Sequence, residues 1–256
     1  MTQDTASKVR KYLLIIFVHV LVVLLWYAAV VITGVRDFIL PSPLDAVKTL
    51  FAPSYDWAGN TMVTASEIFG GYLIGVTTGV TLALLFAWVR LLNNVLMPLV
   101  VSLNMIPKVA LGPLIIVWFS YGIGSNILIS FSICFFPVLL TTARGLREVE
   151  PELIDLVRSL NASRWQLFTK IQLPGSLPYI FSGMKVGAIL AVAGAIVGEF
   201  IASSRGLGYL MIQVQSTLDT PAMFMSVIMI SLVGVALYLI VLLLEYLVVV
   251  QDSRVE

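Results

Sequence analysis

Residues 13–32 read LLIIFVHVLVVLLWYAAVVI, a run with no formal charge apart from a neutral His19. As a helix, a run of this length crosses about 30 Å of hydrocarbon. Lys8, Arg10 and Lys11 precede it, but the run is too long for the apolar core of a signal peptide. No small-residue cleavage pattern follows, so it reads as a retained membrane helix. Further apolar runs cover about 61–89, 95–119, 127–143, 177–202 and 222–250. The whole chain conforms: 59% of its 256 residues are apolar and 11% charged, and the mean hydropathy is +1.02. The expected fold class is all-α, a polytopic membrane protein of six transmembrane helices.

Cationic residues set the orientation. With the N-terminus inside, Lys8, Arg10, Lys11, Arg90, Arg144, Arg147, Arg158, Arg164, Lys170 and Arg254 fall on the cytoplasmic side. Only Arg36, Lys48 and Arg205 fall outside, and Lys108 and Lys185 lie within spans. That asymmetry places both termini in the cytoplasm. Residues 1–12 are then an N-terminal tail, 13–250 the membrane domain with a cytoplasmic loop at 144–175, and 251–256 a C-terminal tail. A net charge of +1 provides no basic field for nucleic acid. One cysteine, Cys134, and one histidine exclude disulfide frameworks and Cys/His metal clusters. No G-x-x-x-x-G-K-[S/T] run occurs to cradle ATP phosphates, and a single histidine at mid-membrane supports no Ser/His/Asp set. By elimination the chain is expected not to be an enzyme itself.

Two connections are long. Leu40-Pro41-Ser42-Pro43 places a capping serine before a proline at the first helical position, predicting a short helix to about Phe51. In the 144–175 loop, Pro151 opens a helix with Glu152 and Asp155 near its positive end. Asn161 ends it in a left-handed cap, Ser163 caps a second helix through Lys170, and Pro174 stops that one. Two rigid helices on an inner face suit docking; a solvated charged loop is the plain alternative.

The same residues carry a resemblance. Asp155-Leu156-Val157, Asn161 and Ile171-Gln172-Leu173-Pro174 resemble the EAA loop of ABC importer permeases, with the family's spacing and an intact Ile-x-Leu-Pro end. Asp155 stands for glutamate, Leu156 and Val157 for the two alanines, and Asn161 for glycine. Ile106-Pro107-Lys108-Val109-Ala110-Leu111, Ser163-Arg164-Trp165-Gln166-Leu167-Phe168 and Gly206-Leu207-Gly208-Tyr209-Leu210 are similar to permeases of the nitrate, sulfonate and taurine class. Pro107-Lys108, Gly198-Glu199-Phe200 and Asp219-Thr220-Pro221 look closest to permeases for thiamine-precursor pyrimidines or riboflavin. The likeness runs over roughly residues 38–250. It implies a type I importer permease in a bacterial inner membrane, working with a second copy of itself. An extracytoplasmic binding protein would deliver substrate, and cytoplasmic ABC ATPase subunits would carry ATP and Mg. Glu152, Asp155, Leu156, Val157, Asn161, Ala162, Ser163, Trp165, Ile171, Leu173 and Pro174 are the implied coupling residues.

Small residues recur every fourth position: Gly71, Gly75, Gly79, Ala83 and Ala87 follow Glu67, and Gly183, Gly187, Ala191 and Ala195 precede Glu199. Such faces admit close helix crossings, either as tight packing or as a path that opens along smooth surfaces. Intramembrane charges are costly. Glu67 and Glu199 lie toward the outer end, where each can reach headgroups, and Lys185 and Glu245 toward the inner end, where they snorkel. Lys108, deep in its span between Pro107 and Pro113, is a pathway candidate, with Asn104 and Ser102 adding donors and Glu199 as counter-charge. An ion-coupled secondary transporter using Glu67 or Glu199, and a scaffold that recruits partners through the loop, are the readings of other classes.

Overall fold

The computed structural model describes residues 2–149 and 151–249, without the side chains of 2–9, 11, 12, 90, 151, 158 and 202. The predicted C-terminal tail, with Arg254, lies outside the described residues. Secondary structure among the described residues is helical: α1 (Thr2–Thr33), α2 (Pro43–Lys48), α3 (Trp57–Trp88), α4 (Arg90–Asn104), α5 (Lys108–Phe119), α6 (Ile123–Gly145), α7 (Pro151–Ser159), α8 (Arg164–Leu167), α9 (Leu173–Ala202), α10 (Leu207–Gln215) and α11 (Thr220–Val248). Among the described residues, five helical stretches are long and apolar enough to cross a membrane, and a sixth span results if α4 and α5 count as one broken crossing.

The third span is broken beside Lys108, Leu91–Asn104 and Lys108–Phe119 meeting at 95°, while two other expectations need correction. Pro107 removes a backbone donor at the junction and holds the extended φ/ψ of an N-cap. The helix begun at Arg164 does not stop at Pro174 but runs into α9 as one span, Arg164–Ile201. A π turn at Phe168–Gln172 makes this possible, because the Leu173 N–H reaches back five residues to the Phe168 carbonyl. The ladder has already shifted where Pro174 withholds its donor, so the proline meets a junction rather than a regular helix interior. Lys185 and Glu245 do not snorkel apart; they pair at 3.0 Å between α9 and α11.

The chain forms two compact units. One holds the chain up to Trp57 together with Leu210–Ile228. Within it, Ser42 caps α2 as its sequence predicts, accepting from Asp45 N–H, and a 3₁₀ turn carries the chain on to Phe51. Trp26 donates to the Pro41 carbonyl at 3.0 Å and packs on Phe224. Tyr55 donates to Asp219, whose other oxygen accepts the Ala222 N–H at the start of α11.

The second unit, Ala58–Tyr209 with Met229 onward, is built around α6. Both small-residue stripes press on it. A Cβ on Gly75 would collide with Cys134 Sγ, one on Gly79 would sit 3.2 Å from the Leu139 nitrogen, and one on Gly187 2.8 Å from Val138. Cross-helix hydrogen bonds follow from this approach: Ser130 donates to the Ala191 carbonyl at 2.9 Å and Cys134 to that of Gly71 at 3.5 Å. Cys134 is thus a core residue, packed with Ile68, Tyr72, Ala191 and Leu237. The stripes are packing faces filled by α6.

A methyl group at Gly194 would lie 2.6 Å from Ser130 Cα, a backbone atom that cannot swing aside. Gly194→Ala is therefore expected to cost about 1–3 kcal/mol by overpacking, read as a lower melting midpoint in detergent. Gly124→Ala, facing open space, should leave the midpoint unchanged or higher; equal losses at both would contradict this packing.

Candidate functional site

Helix α7 is amphipathic, and its apolar side chains are not all covered. Leu156 is 57% exposed, Leu160 74% and Trp165 63%, whereas Ile154 and Val157 are half-buried. Glu152 and Asp155 are on its exposed face. Asn161 adopts φ 58°, and the Ala162 N–H closes over it onto the Val157 carbonyl at 3.3 Å, the Schellman pattern its position predicts. Ser163 and Gln166 then form a reciprocal capping box: Gln166 N–H donates to Ser163 Oγ at 3.2 Å and Ser163 N–H to Gln166 Oε1 at 2.8 Å. Both turns are fixed by local hydrogen bonds, so α7 and α8 form a preset hairpin.

That hairpin is tied to the spans by aromatic rings. Trp88, the last residue of α3, lies 5.8 Å from Trp165 and 5.5 Å from Phe168, both edge-on. Ile171 and Leu173 are half-buried in the π turn and the start of α9, and Pro174 is exposed. Just before the hairpin, Arg144 Nε donates to Glu148 at 2.6 Å. Hydrogen bonds from Tyr179 and Arg144 hold the Glu148 carboxyl below the usual carboxylate range.

The second feature is the bend at Lys108. Its ammonium donates to the Leu103 carbonyl at 3.3 Å, to the Asn104 carbonyl and to Asn104 Oδ1 at 3.2 Å, and it stands 4.5 Å from the Phe136 ring centre. A cation at the negative end of α4 is favourably placed. Lys108 therefore holds the bend. Ser102 is exposed but returns its hydroxyl to the Pro98 carbonyl at 2.9 Å. Asn104 and Lys108 are brought together; Glu199 is not their counter-charge.

Glu67 and Glu199 instead lie together, fully buried. Thr64 donates to Glu199 Oε1 at 2.5 Å, Asn126 donates to Glu67 Oε1 at 2.8 Å, and the Gly208 and Tyr209 N–H groups donate to Glu199 Oε2. Both carboxyls are enclosed by neighbouring helices, so neither reaches out of the protein as the sequence suggested. Sequence reasoning missed Thr64 and Asn126 as their partners; a signal existed in Thr64 and Glu67, which lie three apart on one face of α3.

Known proteins share this architecture. The family model described as binding-protein-dependent transport system inner membrane component matches residues 75–256. The chain belongs to this family. It is 36% identical to the riboflavin transport permease RibX of Chloroflexus aurantiacus over 90% of this chain and 86% of that protein. It is 30% identical to the formylaminopyrimidine transport permease ThiX of Halalkalibacterium halodurans, over 78% and 80% respectively. An inward-facing structure of the MetNI methionine ABC transporter superposes with a TM-score of 0.56 at 21% identity, covering 71% of this permease and 93% of that chain. The fold is that of a type I importer permease, and the protein is a multi-pass inner-membrane transport subunit.

Replacing Lys108 by methionine removes the cation from the end of α4. The expected result is a melting midpoint lower by about 2–4 °C, with Lys108→Arg retaining most of it. Equal loss in both variants would show that Lys108 does not act through its charge.

Proposed function

We propose that this permease imports a flat heteroaromatic solute, a thiamine-precursor pyrimidine or a riboflavin-like compound, driven by ATPase subunits seated on the 144–175 hairpin. The observation that carries the docking is the uncovered apolar side of that hairpin. Leu156, Leu160 and Trp165 stand in water on a segment whose turns are rigidly capped, and exposed apolar anchors on a preset element mark a protein interface. Asp155, Leu156, Val157 and Asn161 keep the spacing of the coupling loop. ATP and Mg reside on the partner, and this chain contributes the helices that receive its movement.

Two copies of the chain form the membrane portion, and a binding protein delivers the solute on the outer side. The cationic asymmetry puts the hairpin, and both termini, in the cytoplasm. Exposed Ser102 and Asn104, with half-buried Lys108 at the bend, line the route. Support for the substrate class comes from the similarity to RibX and ThiX. The competing choice is nitrate, a sulfonate or taurine, which the positive charge of Lys108 would suit.

Tagged protein purified gently from its native membrane should bring an ATPase in near-stoichiometric amount. Leu156→Asp should lower its recovery by tenfold or more, about 1.4 kcal/mol of lost contact, while the permease still inserts. Undiminished recovery would sink the docking assignment. In vesicles holding the whole complex and its binding protein, ATP-dependent uptake of labelled formylaminopyrimidine or riboflavin is expected; uptake of taurine alone would replace the heteroaromatic reading.

A further inference from the structure

We propose that Glu67 and Glu199 bind a single trapped proton, carried by Glu67, and that this neutral–ionised pair clamps α3, α6, α9 and the start of α10 into one body. The observation is a surplus of acceptors in a fully buried cluster. Glu199 has both oxygens occupied by donors: Thr64 on Oε1, and the N–H groups of Gly208 and Tyr209 on Oε2. Those two amides belong to the first turn of α10, where unpaired N–H groups and the helix dipole favour a negative charge. Glu199 is therefore the ionised member, serving as a cap supplied from another span.

Glu67 has no such provision. Its Oε1 accepts from Asn126 at 2.8 Å, and its Oε2 is buried with no donor among the described residues. The side chains bonded to the pair have no hydrogen left for it. Thr64 has one hydroxyl hydrogen, given to Glu199, and its oxygen accepts the Leu207 N–H at 2.8 Å. The Asn126 amide is engaged by Glu67 and, at 3.5 Å, by Ser203 Oγ, leaving Asn126 Oδ1 a second buried acceptor without a donor. Ser203 in turn gives its hydrogen to the Arg205 carbonyl at 2.7 Å, and Asn60 Oδ1 accepts the Gly206 N–H at 2.8 Å. The Thr64, Asn126 and Ser203 donors around the pair are thus committed, and buried polar atoms are rarely left unpaired.

The charges facing the pair say the same. Among the described residues, no lysine, arginine or histidine pairs with Glu67 or Glu199, and the Arg205 side chain is exposed. Two adjacent carboxylates without a cation, in a protein surrounded by hydrocarbon, cannot both ionise. One proton on Glu67 removes the charge conflict and turns its orphaned oxygen into a donor toward Glu199, its hydrogen-bonding neighbour, leaving Asn126 Oδ1 as the cluster's one remaining acceptor without a donor among the described residues. Space favours a proton over a metal cation. A Cβ on Gly208 would lie 2.8 Å from Glu199 Oε2, and one on Gly198 2.6 Å from Asn126 Oδ1. Both glycines bring backbone to van der Waals contact with the polar groups.

Infrared spectroscopy of the whole permease in lipid tests this without any variant. A protonated-carboxyl C=O band at neutral pH is expected, unchanged on raising the pH to mildly alkaline values and lost in Glu67→Gln. Glutamine mimics the protonated acid, so Glu67→Gln should keep the wild-type melting midpoint to within about 1 °C. Glu199→Gln, which removes the charge from the α10 cap, should lower it by about 5 °C or more. Absence of the band, or equal destabilisation by both variants, would overturn the assignment. A band that disappears as the pH rises, in step with uptake, would make the proton exchangeable and overturn its being trapped; sodium-dependent stabilisation would replace the proton with a cation.

Discussion

Close approach of helix backbones around α6 is the constraint on which the second unit depends. In hydrocarbon there is no water to expel, so helices associate through dispersion and interhelical hydrogen bonds, both short-ranged. Glycine and alanine at every fourth position bring α3 and α9 near enough for Ser130 to reach the Ala191 carbonyl and Cys134 that of Gly71. The same proximity lets Asn126, on α6, reach Glu67 on α3. Without the small faces, the polar side chains would lie too far apart to satisfy one another, and each would be an unpaired group in an apolar medium.

What could be read in advance was what local chemistry decides. Span positions follow from runs of apolar residues, the turn at Asn161 from a residue that tolerates the left-handed conformation, and the turn at Ser163 from side chains that bond backbone three residues away. Pro174 misled because its usual effect assumes a regular α ladder; the π turn two residues earlier changes the register, and nothing in Phe168–Gln172 marks it. Lys108 stood out as a lone cation among prolines, yet its partners are carbonyls, which carry no sequence signature. Pairing Glu199 with Lys108 failed for a different reason. Complementary charge is a sound guide only when the groups can meet, and Glu199 is held by Thr64, 135 positions away, and by the amides of α10.

The π turn connects these features mechanically. Had Pro174 ended the helix, the 144–175 hairpin would hang from a flexible joint and movement there would dissipate. Because the helix continues, displacement of α8 is displacement of α9, and the Trp88–Trp165–Phe168 contacts carry it to the end of α3 as well. Both helices are bound to α6 along their small-residue faces and again at the Glu67–Glu199 cluster. A hairpin pushed from the water side would thus move α3, α6 and α9 as a block. Relative motion is then left to elements outside that block's polar clamp, of which α4 is the clearest, since α5 packs on α6 and α9 and the corner between them is held by one lysine and two carbonyls.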